Sequence, residues 1–202
     1  MPGAGRLCEP PLNGLEMLMR RLVVFVCFVC FVVPVRAADS PCVSGTAVGG
    51  KPGPYTFHVA TGPQRGQLTC YVCETEQRPA VVVFARSMSD PLARLVKGLD
   101  KALDEHKGQQ LRAWVTFLAD DQTSLDPKVV KWADKHALRR VPLGVFEDVV
   151  GPPAYKLAKD ADVTVLLYVK QKVVGNFAFR AGELTDAKAD EVLKELPKVV
   201  GK

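Results

Sequence analysis

The sequence predicts one α/β domain: a central mixed sheet with helices on both faces, closed by a C-terminal β-hairpin and a helix. Three observations predict it. From residue 80 onward, apolar runs of strand length alternate with amphipathic stretches of helix length, a pattern met by parallel strands joined through covering helices. The first of those strands, Ala80 to Ala85, is apolar without interruption, as burial on both faces requires. Near the end, two β-rich runs are separated only by a tight turn, which adds an antiparallel edge.

Taken in order, residues 39–54 are rich in Gly, Pro and Ser and read as an extended arm. Tyr55 to Ala60 is a short strand, and Gly62, Pro63 and Gly66 break the loop that follows. After the strand Ala80–Ala85, Ser89 or Asp90 caps a helix with Pro91 just inside it. Leu92, Leu95, Val96, Leu99 and Leu103 share one face of that helix, and Gly108 marks its end. Leu111, Ala113, Val115 and Phe117 alternate as the next strand. Asp126-Pro127 opens a second helix with Val129, Val130, Trp132, Ala133 and Ala137 inward. Val141 to Phe146 is a third strand, and a short helix lies around Pro153 to Ala158. Val163 to Val169 and Lys172 to Phe179 form the hairpin. Thr185 to about Val199 is the last helix, interrupted by Pro197.

The chain has 202 residues, 48% hydrophobic and 24% charged, with a net charge of +5. These are globular proportions, and so small and scattered a surplus of charge argues against a nucleic-acid partner. Arg20-Arg21, the apolar run Leu22–Val33 and the small residues ending at Ala38 have the three parts of a secretory signal. Residues 1–38 are therefore expected to be a signal peptide, with Met17 or Met19 its true start, and the rest to be exported, periplasmic or secreted. The apolar run is short beside the roughly 20 residues of a spanning helix, so no stable membrane span is expected after cleavage. An uncleaved anchor is the alternative. Residues 39–79 then form an extended N-terminal segment, and 80–202 the main domain. Cleavage leaves three cysteines, Cys42, Cys70 and Cys73, an odd count for an oxidising compartment.

Over about residues 80–200 the order of elements resembles the thioredoxin-like superfamily. Val81-Val82-Val83-Phe84-Ala85-Arg86 is similar to the strand that leads into that family's catalytic helix. The run from Asp162 to Val169, followed by Lys172 to Phe177, is similar to its closing hairpin. The extra strand and helix between Trp132 and Ala161 are closer to the peroxiredoxin branch. The resemblance implies a reactive cysteine at the start of the helix after the first central strand, where the helix N-terminus stabilises a thiolate. Here that segment reads Ser87-Met88-Ser89-Asp90-Pro91, and the proline expected before the hairpin strand is replaced near Val163. The fold carries over and the usual site does not.

Cys70-Tyr71-Val72-Cys73 has redox spacing but precedes the strand, which places it near the sheet's amino-terminal edge, with no helix start in evidence. Glu74 raises the thiol pKa there and Arg78 opposes it. As catalytic residues, Cys70 and Cys73 exchange a disulfide with a protein thiol partner. In the rival reading, the fold is a non-catalytic binding or structural module. Cys70–Cys73, or either with Cys42, is then a structural disulfide. A zinc site from Cys42, His58, Cys70 and Cys73 is a further alternative; otherwise no metal or cofactor is expected. His106 and His136 fall near helix ends, where their charge complements the dipole. Ser87 and Ser89 read as caps, Asp120-Asp121, Asp126 and Glu147-Asp148 as solvated loops, and Trp114 and Trp132 as core.

Overall fold

In the computed structural model, which describes residues 40–201, the chain order begins β1 (Phe57–Val59), β2 (Leu68–Thr69), α1 (Tyr71–Thr75) and β3 (Ala80–Ala85). It continues through α2 (Asp90–Glu105), β4 (Arg112–Leu118), α3 (Gln122–Lys135) and β5 (Leu143–Phe146). The hairpin β6 (Ala161–Val169) and β7 (Lys172–Arg180) follows, then α4 (Asp186–Lys194) and α5 (Pro197–Val200). The signal reading at residues 1–38 lies outside the described residues.

All seven strands join one sheet in the order β2-β1-β5-β4-β3-β6-β7. Strands β3, β4 and β5 run parallel. Strand β6 is antiparallel to β3, and β7 to β6. On the other side β1 is antiparallel to β5, and β2 to β1. The segment 39–79 thus supplies two strands to the sheet built by the rest of the chain. Gly144 makes this junction possible, because a Cβ there would lie 2.2 Å from the His58 carbonyl oxygen of β1.

The crossovers β3-α2-β4 and β4-α3-β5 step the same way across the sheet. Right-handed connections therefore put both helices on one face. Leu95 and Leu99 of α2, Val129 and Ala133 of α3 and Val192 of α4 pack there against Val81 and Val83. The opposite face is aromatic: Tyr55, Tyr71, Trp114, Tyr155 and Tyr168 surround Val82 and Phe84. Helix α1, the 3-10 turn Pro153–Tyr155 and the N-terminal arm cover it. The polar atoms of Trp114, Tyr55 and Tyr155 are paired, as burial demands, whereas Tyr168 Oη is buried with no hydrogen-bond partner among the described residues. Trp114 Nε1 donates to Tyr55 Oη at 2.8 Å, Tyr55 Oη bonds Thr116 Oγ1 at 2.7 Å, and Tyr155 Oη donates to the Gly53 carbonyl at 2.9 Å.

The arm is docked. Ser44 is buried; its Oγ bonds Thr164 Oγ1 at 2.8 Å and accepts from the Ala158 N–H at 3.0 Å. Asn176 Nδ2 donates to the carbonyls of Ser44 and Thr46, both at 2.9 Å. Gly49 N–H donates to the Val173 carbonyl and Val173 N–H to the Gly50 carbonyl, which pairs the arm with β7.

Four local expectations change. Helix α3 starts a turn before Asp126-Pro127: Asp121 caps it through the Ser124 N–H at 3.0 Å, and Pro127 sits inside it. Ala137 is not inward; it is exposed with φ of 55°, and Leu138 is buried in its place. Helix α2 ends at Glu105 with His106 as its cap, so the left-handed residue is Gln110 and not Gly108. The helix expected at Pro153–Ala158 is a 3-10 turn of three residues.

Burial raises the pKa of every tyrosine in the chain, Tyr71 to about 12 and Tyr55, Tyr155 and Tyr168 higher still. An unfolded tyrosine deprotonates near pH 10, so stability is intact below that and falls as pH rises toward the folded values. We expect no tyrosinate absorbance from the native chain at about pH 10.5, and its cooperative appearance together with loss of near-UV dichroism at higher pH. Gradual titration of native tyrosines in that range would contradict the packing.

Candidate active site

Strand β2 delivers the chain straight into α1, and Cys70 is the N-cap of that helix. The Cys70 Sγ accepts a hydrogen bond from the Cys73 N–H at 3.2 Å. Cys70 and Cys73 are joined as a disulfide, with Cα atoms 5.3 Å apart. Cys70 is half-buried and Cys73 exposed. The helix start, unexpected from the sequence, corrects that reading: five residues are too few to show a helical period.

The rest of α1 is anchored. Tyr71 is buried, its ring centroid 5.4 Å from Phe57 and 5.7 Å from Trp114. Thr75 is buried and donates from Oγ1 to the Tyr71 carbonyl at 2.7 Å. Arg78 closes the far end by donating to the carbonyls of Glu74 and Thr75. Its guanidinium is thus occupied with the helix C-terminus. Arg112, at the start of β4, pairs with Glu74 instead, Nη2 to Oε2 at 2.9 Å. Gln64 Nε2 donates to the other carboxylate oxygen at 3.0 Å.

Gln64, Tyr71, Glu74 and Arg112 form one wall of a cleft of about 440 Å³ at the amino ends of β4 and β5. Pro63, Leu103, Leu111 and Pro142 supply apolar surface, and Arg140 adds a second guanidinium. Gln64, Arg112 and Arg140 are site residues that sequence reasoning did not find. They come from three separate segments and carry no motif.

The other candidates are dispersed. Cys42 is a free thiol whose neighbours are Asp160, Arg180 and Glu183, beside the start of β6 and the end of β7, the opposite end of the sheet from the disulfide. Burial pushes its pKa up, the two carboxylates add to this and Arg180 opposes it. Pairing of Cys42 with Cys70 or Cys73 is therefore corrected, and the zinc set of Cys42, His58, Cys70 and Cys73 is not assembled: among the described residues no group of three or more His, Cys, Asp or Glu gathers as a metal site. His106 and His136 cap the C-termini of α2 and α3. Ser89 caps α2, accepting from the Leu92 N–H at 3.3 Å, and Ser87 donates to Asp162 Oδ2 at 2.6 Å. Trp114 and Trp132 are buried. No helix of the described residues is long and apolar enough to cross a membrane.

No protein-family model matches the chain, and comparison with curated proteins returns no relative. Solved structures do match. A candidate protein disulfide isomerase from Bacteroides thetaiotaomicron is 14% identical with a TM-score of 0.59, over 79% of this chain and 94% of that one. A candidate thiol:disulfide interchange protein DsbE from Chlorobium tepidum is 13% identical with a TM-score of 0.58, over 77% and 99%. The peroxidoxin BcpB from Mycobacterium tuberculosis is 17% identical with a TM-score of 0.51, over 75% and 97%. At these identities the similarity speaks for the fold.

Glu74 is half-buried and holds two partners, so Glu74→Ala should lower stability by about 1 kcal/mol in urea unfolding, after allowing for solvent screening of the Arg112 pair. The loss should shrink at high salt. A loss unchanged by salt would mean that the pair contributes nothing.

Proposed function

On this thioredoxin-like fold, we propose that the chain is an exported protein that exchanges disulfides with protein thiols through Cys70 and Cys73. Export rests on the pattern of residues 20–38 in the sequence. The exchange rests on the asymmetry of the two sulfurs: Cys73 is exposed, whereas Cys70 is half-buried at the helix cap and receives the Cys73 N–H. A partner thiolate attacks Cys73 Sγ, and Cys70 leaves as a thiolate that this N–H stabilises. A second partner thiol, deprotonated, attacks the partner sulfur of the mixed disulfide and releases Cys73. The partner gains a disulfide, and the chain gains two electrons and two protons. The reverse sequence reduces a partner.

The energetics favour exchange over bracing. Cysteines separated by three positions close a small loop, for which the chain-entropy model gives about 2 kcal/mol of stabilisation, the low end for disulfides. A non-catalytic binding or structural module is the second reading. It is favoured by Ser87 and Ser89, which form caps and hydrogen bonds at the segment where the family resemblance implies a reactive cysteine.

The two readings separate in glutathione buffers. Exchange predicts a reversible Cys70–Cys73 couple between about −270 and −120 mV; a bond that persists below about −300 mV belongs to the structural module. With oxidised glutathione, Cys70→Ser should accumulate a stable mixed disulfide at Cys73, and Cys73→Ser should react roughly tenfold more slowly because its remaining sulfur is less accessible. Mass spectrometry of the trapped species checks this. Equal trapping in both variants would reverse or abolish the assignment of the two sulfurs.

A further inference from the structure

We propose that the cleft beside α1 binds a small amphipathic carboxylate, and that the Cys70–Cys73 disulfide sets its affinity. The cleft, about 440 Å³, falls within the size of small-molecule sites, about 300–1,000 Å³. Two guanidiniums, Arg112 and Arg140, line the cleft beside one carboxylate, Glu74; Asp104 pairs with Arg140 from outside the wall, so the surplus inside the cleft is one of N–H donors and not of net charge. Glu74 is already committed at both oxygens, to Gln64 and Arg112. The Arg112 side chain donates one hydrogen bond, from Nη2. Arg140 gives its Nε to Asp104 at 2.6 Å, and Asp104 is not part of the cleft wall. Each guanidinium carries five N–H donors in a planar fork that suits a carboxylate. Beside them lie the rings of Tyr71 and Trp114. N–H donors in excess, set against the apolar surface of Pro63, Leu103 and Pro142 with the largely buried Tyr71 and Trp114, specify a ligand with one carboxylate on an apolar body.

The disulfide acts through α1. Tyr71 lies between the two cysteines and Glu74 directly follows them, and both line the cleft. A helix of five residues cannot sustain itself, so the covalent loop helps to fix these two walls. Reduction frees them, and the reduced chain binds more weakly. By linkage, the ligand favours the oxidised chain by the same ratio, and each tenfold ratio moves the midpoint potential by about 30 mV. Binding to the oxidised chain does not depend on whether the disulfide exchanges with partners, so this site and the exchange reading fail separately.

The test is calorimetric titration of the purified chain with 3-phenylpropionate, with 3-phenylpropanol as the uncharged body. We expect saturable binding of the acid at one site, binding at least about tenfold weaker for the alcohol, and a similar loss for the acid with Arg140→Gln, as for one charge-assisted hydrogen bond. Weaker binding is also expected in dithiothreitol and in the Cys70→Ser/Cys73→Ser variant, with dichroism used to check that each is folded. No saturable binding of the acid below about 10 mM, equal binding of acid and alcohol, or an unaffected Arg140→Gln overturns the site. Equal affinity in the oxidised and reduced chains, both folded, overturns the control by the disulfide.

Discussion

Strand β3 contributes six residues, all buried, and bonds along its whole length to β4 on one edge and β6 on the other. A strand in that position can carry no polar side chain on either face without a partner. Val81, Val83 and Ala85 belong to the core beneath the three long helices, and Ala80, Val82 and Phe84 to the aromatic core on the opposite side. The two cores therefore share one backbone, and a substitution that moves β3 disturbs both. The strand also sets the two ends of the molecule. Its carboxyl end leads to Ser87 and the cap of α2, and its amino end lies beside α1 and the disulfide.

Those ends differ chemically. At the carboxyl end, the polar groups satisfy one another: Ser87 bonds Asp162, Ser89 caps α2, and Arg86 donates to carbonyls of Val149, Ala158 and Ala161. The free thiol at that end, Cys42, is held protonated by burial and by the carboxylates of Asp160 and Glu183. At the amino end, the exposed Cys73 and the half-buried Cys70 form a disulfide on the short helix whose Tyr71 and Glu74 line a cleft with two guanidiniums. The short helix brings little macrodipole, so the single N–H from Cys73 to Cys70 Sγ is the main local stabilisation of a Cys70 thiolate.

Much of the fold was legible because long elements repeat their signal. Ala80–Ala85, the capped helix after Ser89 and the hairpin around Lys170-Gln171 each carry a period or a composition over many residues. Short elements carry no such signal. Strand β2 has two residues and α1 has five, and both owe their form to tertiary neighbours, Phe57 and Trp114 among them. Pro127 misled because a proline reads as a helix start, whereas Asp121, a turn earlier, caps the helix. The disulfide spacing was visible at once. The cleft was not, since Gln64, Glu74, Arg112 and Arg140 meet only after the sheet has formed.

The docked arm has a consequence for the order of folding. Ser44 bonds Thr164, 120 positions away, and Asn176 bonds the Ser44 carbonyl across 132. These contacts have very high sequence separation, and closing such loops is slow. A ribosome delivers the arm early and its docking surface on the hairpin late. The aromatic face therefore stays uncovered until nearly the whole chain has emerged. Docking of the arm therefore waits for the hairpin, and its contacts with Thr164 and Asn176 mark a completed fold.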